Sequence, residues 1–138
     1  MSVEDTRSLI ARYVEQVWNR ADMAALEALT LPTFAYYLGG QPARDRHAFE
    51  HFIRATHEAF PDWRVEIVGL IAEADRAAVR WSGLVTHEGP FRGIPPTGRR
   101  VAVTGINWYE VNGGRIAAEW EQTDSLGMLQ QLGVLPPG

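Results

Sequence analysis

Two rhythms of apolar residues divide the chain. In the first half, Leu9, Ile10, Tyr13, Val14, Val17 and Trp18 recur at the i, i+3, i+4, i+7, i+8 spacing of an amphipathic helix. Asn19-Arg20-Ala21-Asp22 interrupts it, and Asp22 is placed to N-cap a short helix from Met23 to Leu29. Thr33 to Leu38 is β-branched and aromatic and reads as a strand, followed by the loop Gly39-Gly40-Gln41-Pro42. Asp45 then caps a third helix from Arg46 to Ala59, with Phe49, Phe52, Ile53 and Phe60 as its apolar stripe and Pro61 as its stop.

The second half alternates instead. Trp63 to Ile71, Ala77 to Glu88, Val101 to Val111 and Arg115 to Gln122 read as strands. Asn112-Gly113 signals a tight hairpin between the last two. Gly93-Ile94-Pro95-Pro96-Thr97-Gly98 is a stiff loop, because each proline fixes its own φ. A short helix from Ser125 to Leu132 precedes the tail Pro136-Pro137-Gly138. Helices followed by antiparallel strands make an α+β pattern. The expected architecture is a cone-shaped, curved antiparallel sheet with the N-terminal helices over its concave face and a cavity between.

Composition narrows the classes. A chain of 138 residues suits one domain with a self-sufficient core, spanning 1–138. The net charge of −4 gives no electrostatic footprint for nucleic acid. Cysteine is absent, which removes disulfides and thiolate chemistry. No apolar run approaches the roughly 18 residues of a membrane span, and the acidic N-terminus does not read as a signal segment. The expected setting is cytoplasmic.

Asp124 is the first candidate for chemistry. If Arg115 to Asp124 alternates without interruption, then Ile116, Ala118, Trp120, Gln122 and Asp124 share a mostly apolar face. A carboxyl there is costly unless paired, hydrated or functional. The competing reading ends the strand earlier and makes Asp124 the cap of the last helix. With Asn112-Gly113 as the turn, Asn107 and Tyr109 fall on the face of Asp124. Asn107 could then hold a ligand oxygen or pair with backbone at a bulge. A one-residue shift at Gly114 would put Trp108 and Glu110 there instead. His87 is either a pocket histidine at the mouth of the cone or an exposed strand end. Tyr13 either aims its hydroxyl into the cavity or is core. Trp120 and Trp81 are candidates for an apolar wall suited to an aromatic ligand. His47 and His51 have the i, i+4 spacing of some metal sites but no third ligand, so no metal is expected. An exposed helix face accounts for them.

Three segments carry a resemblance: Phe60-Pro61-Asp62-Trp63, Gly93 through Arg100, and Asp124-Ser125-Leu126-Gly127-Met128-Leu129-Gln130-Gln131-Leu132-Gly133. Together, in this order, they are similar to the SnoaL-like polyketide cyclases, or ester cyclases, of the nuclear transport factor 2-like superfamily. The resemblance implies the cone-shaped α+β barrel, shared with ketosteroid isomerases. It implies a cofactor-free enzyme that closes a ring by intramolecular aldol condensation of a small apolar or aromatic carbonyl compound, or a related isomerase. It also implies that Asp124 is the acid/base and that the chain forms a homodimer through the outer sheet face, where Ala102, Thr104, Ile106 and Trp108 alternate. Two rival functions use the same fold. One is a cofactor-free epoxide hydrolase, for which no Asp–Arg–Asp group is placed. The other is a non-catalytic ligand-binding or dimerisation module.

Overall fold

The first helix is longer than its apolar stripe, because a capping box starts it early. In the computed structural model, which describes residues 1–137, Ser2 and Asp5 cap each other's backbone and α1 runs from Val3 to Tyr13. A wider π-helical stretch, Val14–Asn19, continues it. The stripe forecast from the spacing lies against the core: Ile10, Tyr13 and Val17 are fully buried. Asp22 caps α2, Met23–Leu29, through the Ala25 N–H, and Asp45 caps α3, Arg46–Ala59, through the Ala48 N–H. The last helix, α4, is Ser125–Gln131. Of the tail, Gly138 lies outside the described residues.

Six strands form one sheet in the order β2-β1-β6-β5-β4-β3. They are β1 Thr30–Leu38, β2 Arg44–Asp45, β3 Glu66–Ala72, β4 Arg76–Thr86, β5 Arg100–Asn112 and β6 Arg115–Thr123. The sheet is curved, open and mixed. This corrects the all-antiparallel expectation: β1 pairs with β6 in parallel, while the other pairings are antiparallel. The helices cover one face, with α1 against β3 and β4 and α3 against β1. Their apolar stripes and the inward strand positions make a single core.

The β5–β6 hairpin decides which side chains face that core. Its turn is Gly113-Gly114, both at positive φ, which residues other than glycine rarely adopt. The turn thus falls one residue after the expected Asn112-Gly113. Asn112 pairs with Arg115 and Val111 with Ile116, but Glu110 pairs with Ala118, so a bulge leaves Ala117 without a partner. One extra residue reverses the facing of everything after it. Ile116 faces inward before the bulge; beyond it Glu119 and Glu121 are buried, whereas Trp120 is partly exposed and Gln122 exposed. The expected common face for Ile116, Trp120, Gln122 and Asp124 is corrected accordingly.

Candidate active site

Two glutamates project from β6 into the interior. Glu119 is fully buried, and its oxygens are held from three directions. The Tyr13 hydroxyl donates to Oε1 at 2.6 Å, and the Trp18 indole N–H and the Asn107 amide donate to Oε2 at 2.9 and 2.8 Å. The Trp81 indole N–H in turn donates to Asn107 Oδ1 at 2.8 Å and fixes the orientation of that amide. Burial pushes the Glu119 pKa up to about 7, with the charge of Glu121 adding to the effect; the dipoles of Tyr13, Tyr109 and Asn107 oppose it.

Glu121, two residues on, accepts from the Tyr36 hydroxyl at 2.7 Å and from the Thr123 hydroxyl. Its pKa is also raised, chiefly by burial, against the pull of Thr123, Tyr36, Asn107 and Arg92. Glu119 is enclosed by its donors, whereas Glu121 borders open space. It lines a narrow inner cleft together with Trp18, Trp63, Trp81 and Asn107. It also lines a cavity of about 40 Å³ walled by Phe52, Phe60, Phe91 and Met128. That is room for about one water molecule. Leu38, Phe52, Thr56, Phe91 and Arg92 separate this cavity from an outer groove of about 350 Å³, because they line both. A ligand larger than about one water needs the cavity lining to move, and this partition is the side that adjoins the groove. Trp63 borders both inner spaces, and its indole N–H has no hydrogen-bond partner. It is a buried donor with no protein acceptor.

The residues singled out in the sequence divide between the two faces. Asn107, Trp81 and Tyr13 meet in the Glu119 network. Asn107 lies opposite Glu121 rather than Ala118. Tyr13 spends its hydroxyl on Glu119, not on open space. Trp120 lies on the outer face, stacked on Tyr37 with ring centroids 4.9 Å apart, so its expected place in the pocket wall is corrected. The bulge is the cause. Asp124 is exposed; its carboxylate accepts the Gly127 N–H at 2.9 Å as the cap of α4 and borders a groove on the outer face with Arg80, Thr104 and Ile106. The expected inward aspartate is thus replaced by two inward glutamates, and the capping alternative describes the geometry of Asp124.

His87 is fully buried, against either expected position, because Phe60 and Phe91 pack on it. Its Nδ1 accepts the Thr97 N–H at 3.2 Å, which ties it to the stiff loop. It borders neither inner space. His47 and His51 are exposed on α3 with Nε2 atoms 3.3 Å apart, and no group of three metal-ligating side chains is found among the described residues.

Glu119, Glu121 and Trp63 were missed by sequence reasoning. Glutamates on an uninterrupted strand read as the solvent face. The available signal was that Ile116 and Glu119 bracket two alanines, where a bulge would put both on one side.

The described residues contain no helix long and apolar enough to cross a membrane. A family model described as SnoaL-like polyketide cyclase matches residues 8–132. The chain belongs to this family. No curated protein matches it. Among solved structures, AclR from Streptomyces galilaeus, assigned as a hydroxylase, is similar at 27% identity and a TM-score of 0.88, covering 99% of this chain and 86% of AclR. IdmH from Streptomyces antibioticus, assigned as a polyketide cyclase, shares 31% identity at a TM-score of 0.81, over 93% of this chain and 98% of IdmH. A protein of Acidithiobacillus ferrooxidans, also assigned as a polyketide cyclase, shares 27% identity at a TM-score of 0.83, over 96% and 98% of the two chains. The architecture of this SnoaL-like chain is the nuclear transport factor 2-like α+β fold.

Proposed function

We propose that the protein is a SnoaL-like cyclase or isomerase that uses Glu121 as acid/base on a small, flat carbonyl compound, without a cofactor. The observation that carries this reading is that Glu121 is the carboxyl bordering both inner spaces. Its proton affinity is raised by burial, as suits a group that must both take and return a proton. The sequence-based role for Asp124 gives way to Glu121 here, because Asp124 is exposed and occupied as a cap.

In the cyclisation, the ionised Glu121 takes a proton from the carbon beside a carbonyl. The C–H electron pair becomes the C=C bond, and the carbonyl π pair moves to oxygen. The unpaired Trp63 N–H is the donor for that developing oxyanion. The enolate carbon then forms a C–C bond to a second carbonyl of the same molecule. The new alkoxide recovers the proton from Glu121, so no atom or electron is gained or lost. In an isomerisation the proton returns to a different carbon. Glu119, held by Tyr13, Trp18 and Asn107, fixes the geometry behind Glu121.

We also assign the outer sheet face to a second copy of the chain. Ile106 and Trp108 are 55% and 40% exposed there, beside Val68 and Leu84, each at 51%. Such a patch on the outer face is a recognised mark of association.

The test uses 2-tetralone, a flat ketone with exchangeable protons beside its carbonyl. Proton exchange into D2O is followed by NMR with wild-type protein and Glu121→Gln. The wild type accelerates exchange, and the variant loses about 10²–10⁴ of the acceleration. Equal rates for the two proteins would remove Glu121 from the role.

A further inference from the structure

Arg44 and Arg92 stand at the outer groove, and neither has a carboxylate within ion-pair distance among the described residues. Arg44 and Arg92 both line the outer groove of about 350 Å³, and no aspartate or glutamate lines it. The four ion pairs among the described residues use Arg20, Arg54, Arg64 and Arg76, and neither entrance arginine. Arg44 Nη1 is buried without a hydrogen-bond partner, while its Nη2 donates only to the neutral Gln41 Oε1 at 3.0 Å. A guanidinium N–H taken from water and left unpaired is costly unless a ligand supplies the acceptor.

Both guanidinium groups are laid over aromatic rings. Arg44 sits 4.8 Å from the centroid of Phe52, and Arg92 sits 5.2 Å from that of Phe91. Phe52 and Phe91 belong to the partition between groove and cavity. Arg92 holds its place with φ of +49°, a left-handed conformation that non-glycine residues adopt only when their surroundings enforce it. The two charges are felt inside as well: Arg44 draws the Tyr36 pKa down, and Arg92 draws the Glu121 pKa down, each against a larger effect of burial.

We infer that Arg44 and Arg92 form an anion-recognition site in the entrance groove, and that the substrate is a flat conjugated compound ending in a carboxylate. Arginine suits this task because its planar fork accepts a carboxylate through two N–H groups while its face stacks on an aromatic ring. The same placement keeps the ligand's negative end in the groove and sends its carbonyl body through the Phe52–Phe91 partition towards Glu121. A neutral ester would leave both guanidinium groups without a carboxylate within ion-pair distance. The inference rests on the Glu121 cavity being the place of reaction and narrows what reaches it.

The test compares 2-naphthoate with methyl 2-naphthoate at pH 8, with binding read by calorimetry. The acid binds about tenfold more tightly than the ester, as a charge-assisted pair predicts. The preference shrinks as salt rises from about 0.02 to about 0.5 M, because partly exposed charges are screened. In the double variant Arg44→Gln and Arg92→Gln, which keeps most of the aliphatic stems, the acid falls to the affinity of the ester. Arg44→Lys with Arg92→Lys retains part of the preference. Equal binding of acid and ester by the wild type, a preference that survives in the double Gln variant, or no binding of the acid at millimolar concentration would each overturn the inference. The acid–base reading fails separately: if the charge preference holds but 2-tetralone exchange is not accelerated, the anion site stands and the role of Glu121 falls.

Discussion

Asn107 Nδ2 donates to Glu119 Oε2 at 2.8 Å, and Asn107 sits on the strand facing the glutamate's own, two positions out of register with it. This bond ties the deep carboxyl to the strand that also carries Trp81's partner atom. It makes the interior a hydrogen-bonded unit rather than a greasy void with one charge in it.

Stability is expected to fall as pH rises through the range between 4.5 and about 7, the ordinary and folded-state values for Glu119. The sign follows from proton counting. In this window the unfolded chain has released the proton that the folded chain still holds, so rising pH favours unfolding. The displacement corresponds to on the order of 3 kcal/mol, and the raised pKa of Glu121 acts in the same direction. Urea unfolding at pH 5 and pH 8 measures it. In Glu119→Gln most of the difference disappears; a wild-type stability that is flat or rising over the window contradicts the assignment.

Asp124→Ala is expected to lose about 1 kcal/mol of stability, the usual worth of a helix cap, and to leave 2-tetralone exchange nearly unchanged. Urea midpoints and exchange rates measured on the same samples check both halves. A collapse of exchange in a folded Asp124→Ala or Asp124→Asn protein would return the acid/base role to this aspartate.

Gly105→Ala is expected to damage the interior at a distance. A Cβ there would lie 2.3 Å from Trp81 Cζ2 and 2.8 Å from the backbone oxygen of Gln122. Trp81 must move, which pulls its N–H from Asn107 Oδ1 and loosens the amide that holds Glu119. Overpacking of this kind costs about 1–3 kcal/mol. A thermal melt within a degree of the wild type would show that the ring is not held as described.

Trp63→Phe removes one N–H that no protein group uses. Exchange of 2-tetralone is expected to slow about tenfold, the worth of one hydrogen bond to a developing charge. The pH dependence set by Glu119 remains. Nitrogen-15 spectra of the indole groups give a second view: on addition of 2-tetralone the Trp63 signal shifts, and that of Trp108 on the outer face does not.

Light scattering reports twice the chain mass if the outer face pairs two copies. Ile106→Glu with Trp108→Glu puts charges on that face and returns the protein to single chains. A wild-type protein that scatters as one chain removes the proposed dimer.

The helices and strands were legible because their signals are local. Asp22 and Asp45 cap the helices they were expected to cap, and the stripe Ile10, Tyr13 and Val17 faces the core. The inward facing of Trp81 was legible too, since β4 pairs with β5 without interruption there. Asn107 lies inward opposite Glu121, not on the face of Trp120 and Asp124 where the expected hairpin register puts it. Trp120 and Asp124 were misplaced for one shared reason: strand facing is a running count, and one unpaired residue, Ala117, reverses every position after it.

The sequence by itself determined the α+β class, the helix caps, most strand positions and the family of the chain, because spacing, capping and motif are properties of neighbours along the chain. Tertiary structure alone decided that β1 joins β6 in parallel, that Glu119 and Glu121 turn inward, and that Arg44 and Arg92 share one groove. Those outcomes depend on groups far apart in sequence. Tyr13, Trp18 and Asn107 supply the hydrogen bonds that offset the burial of Glu119, and no local pattern around residue 119 announces such donors.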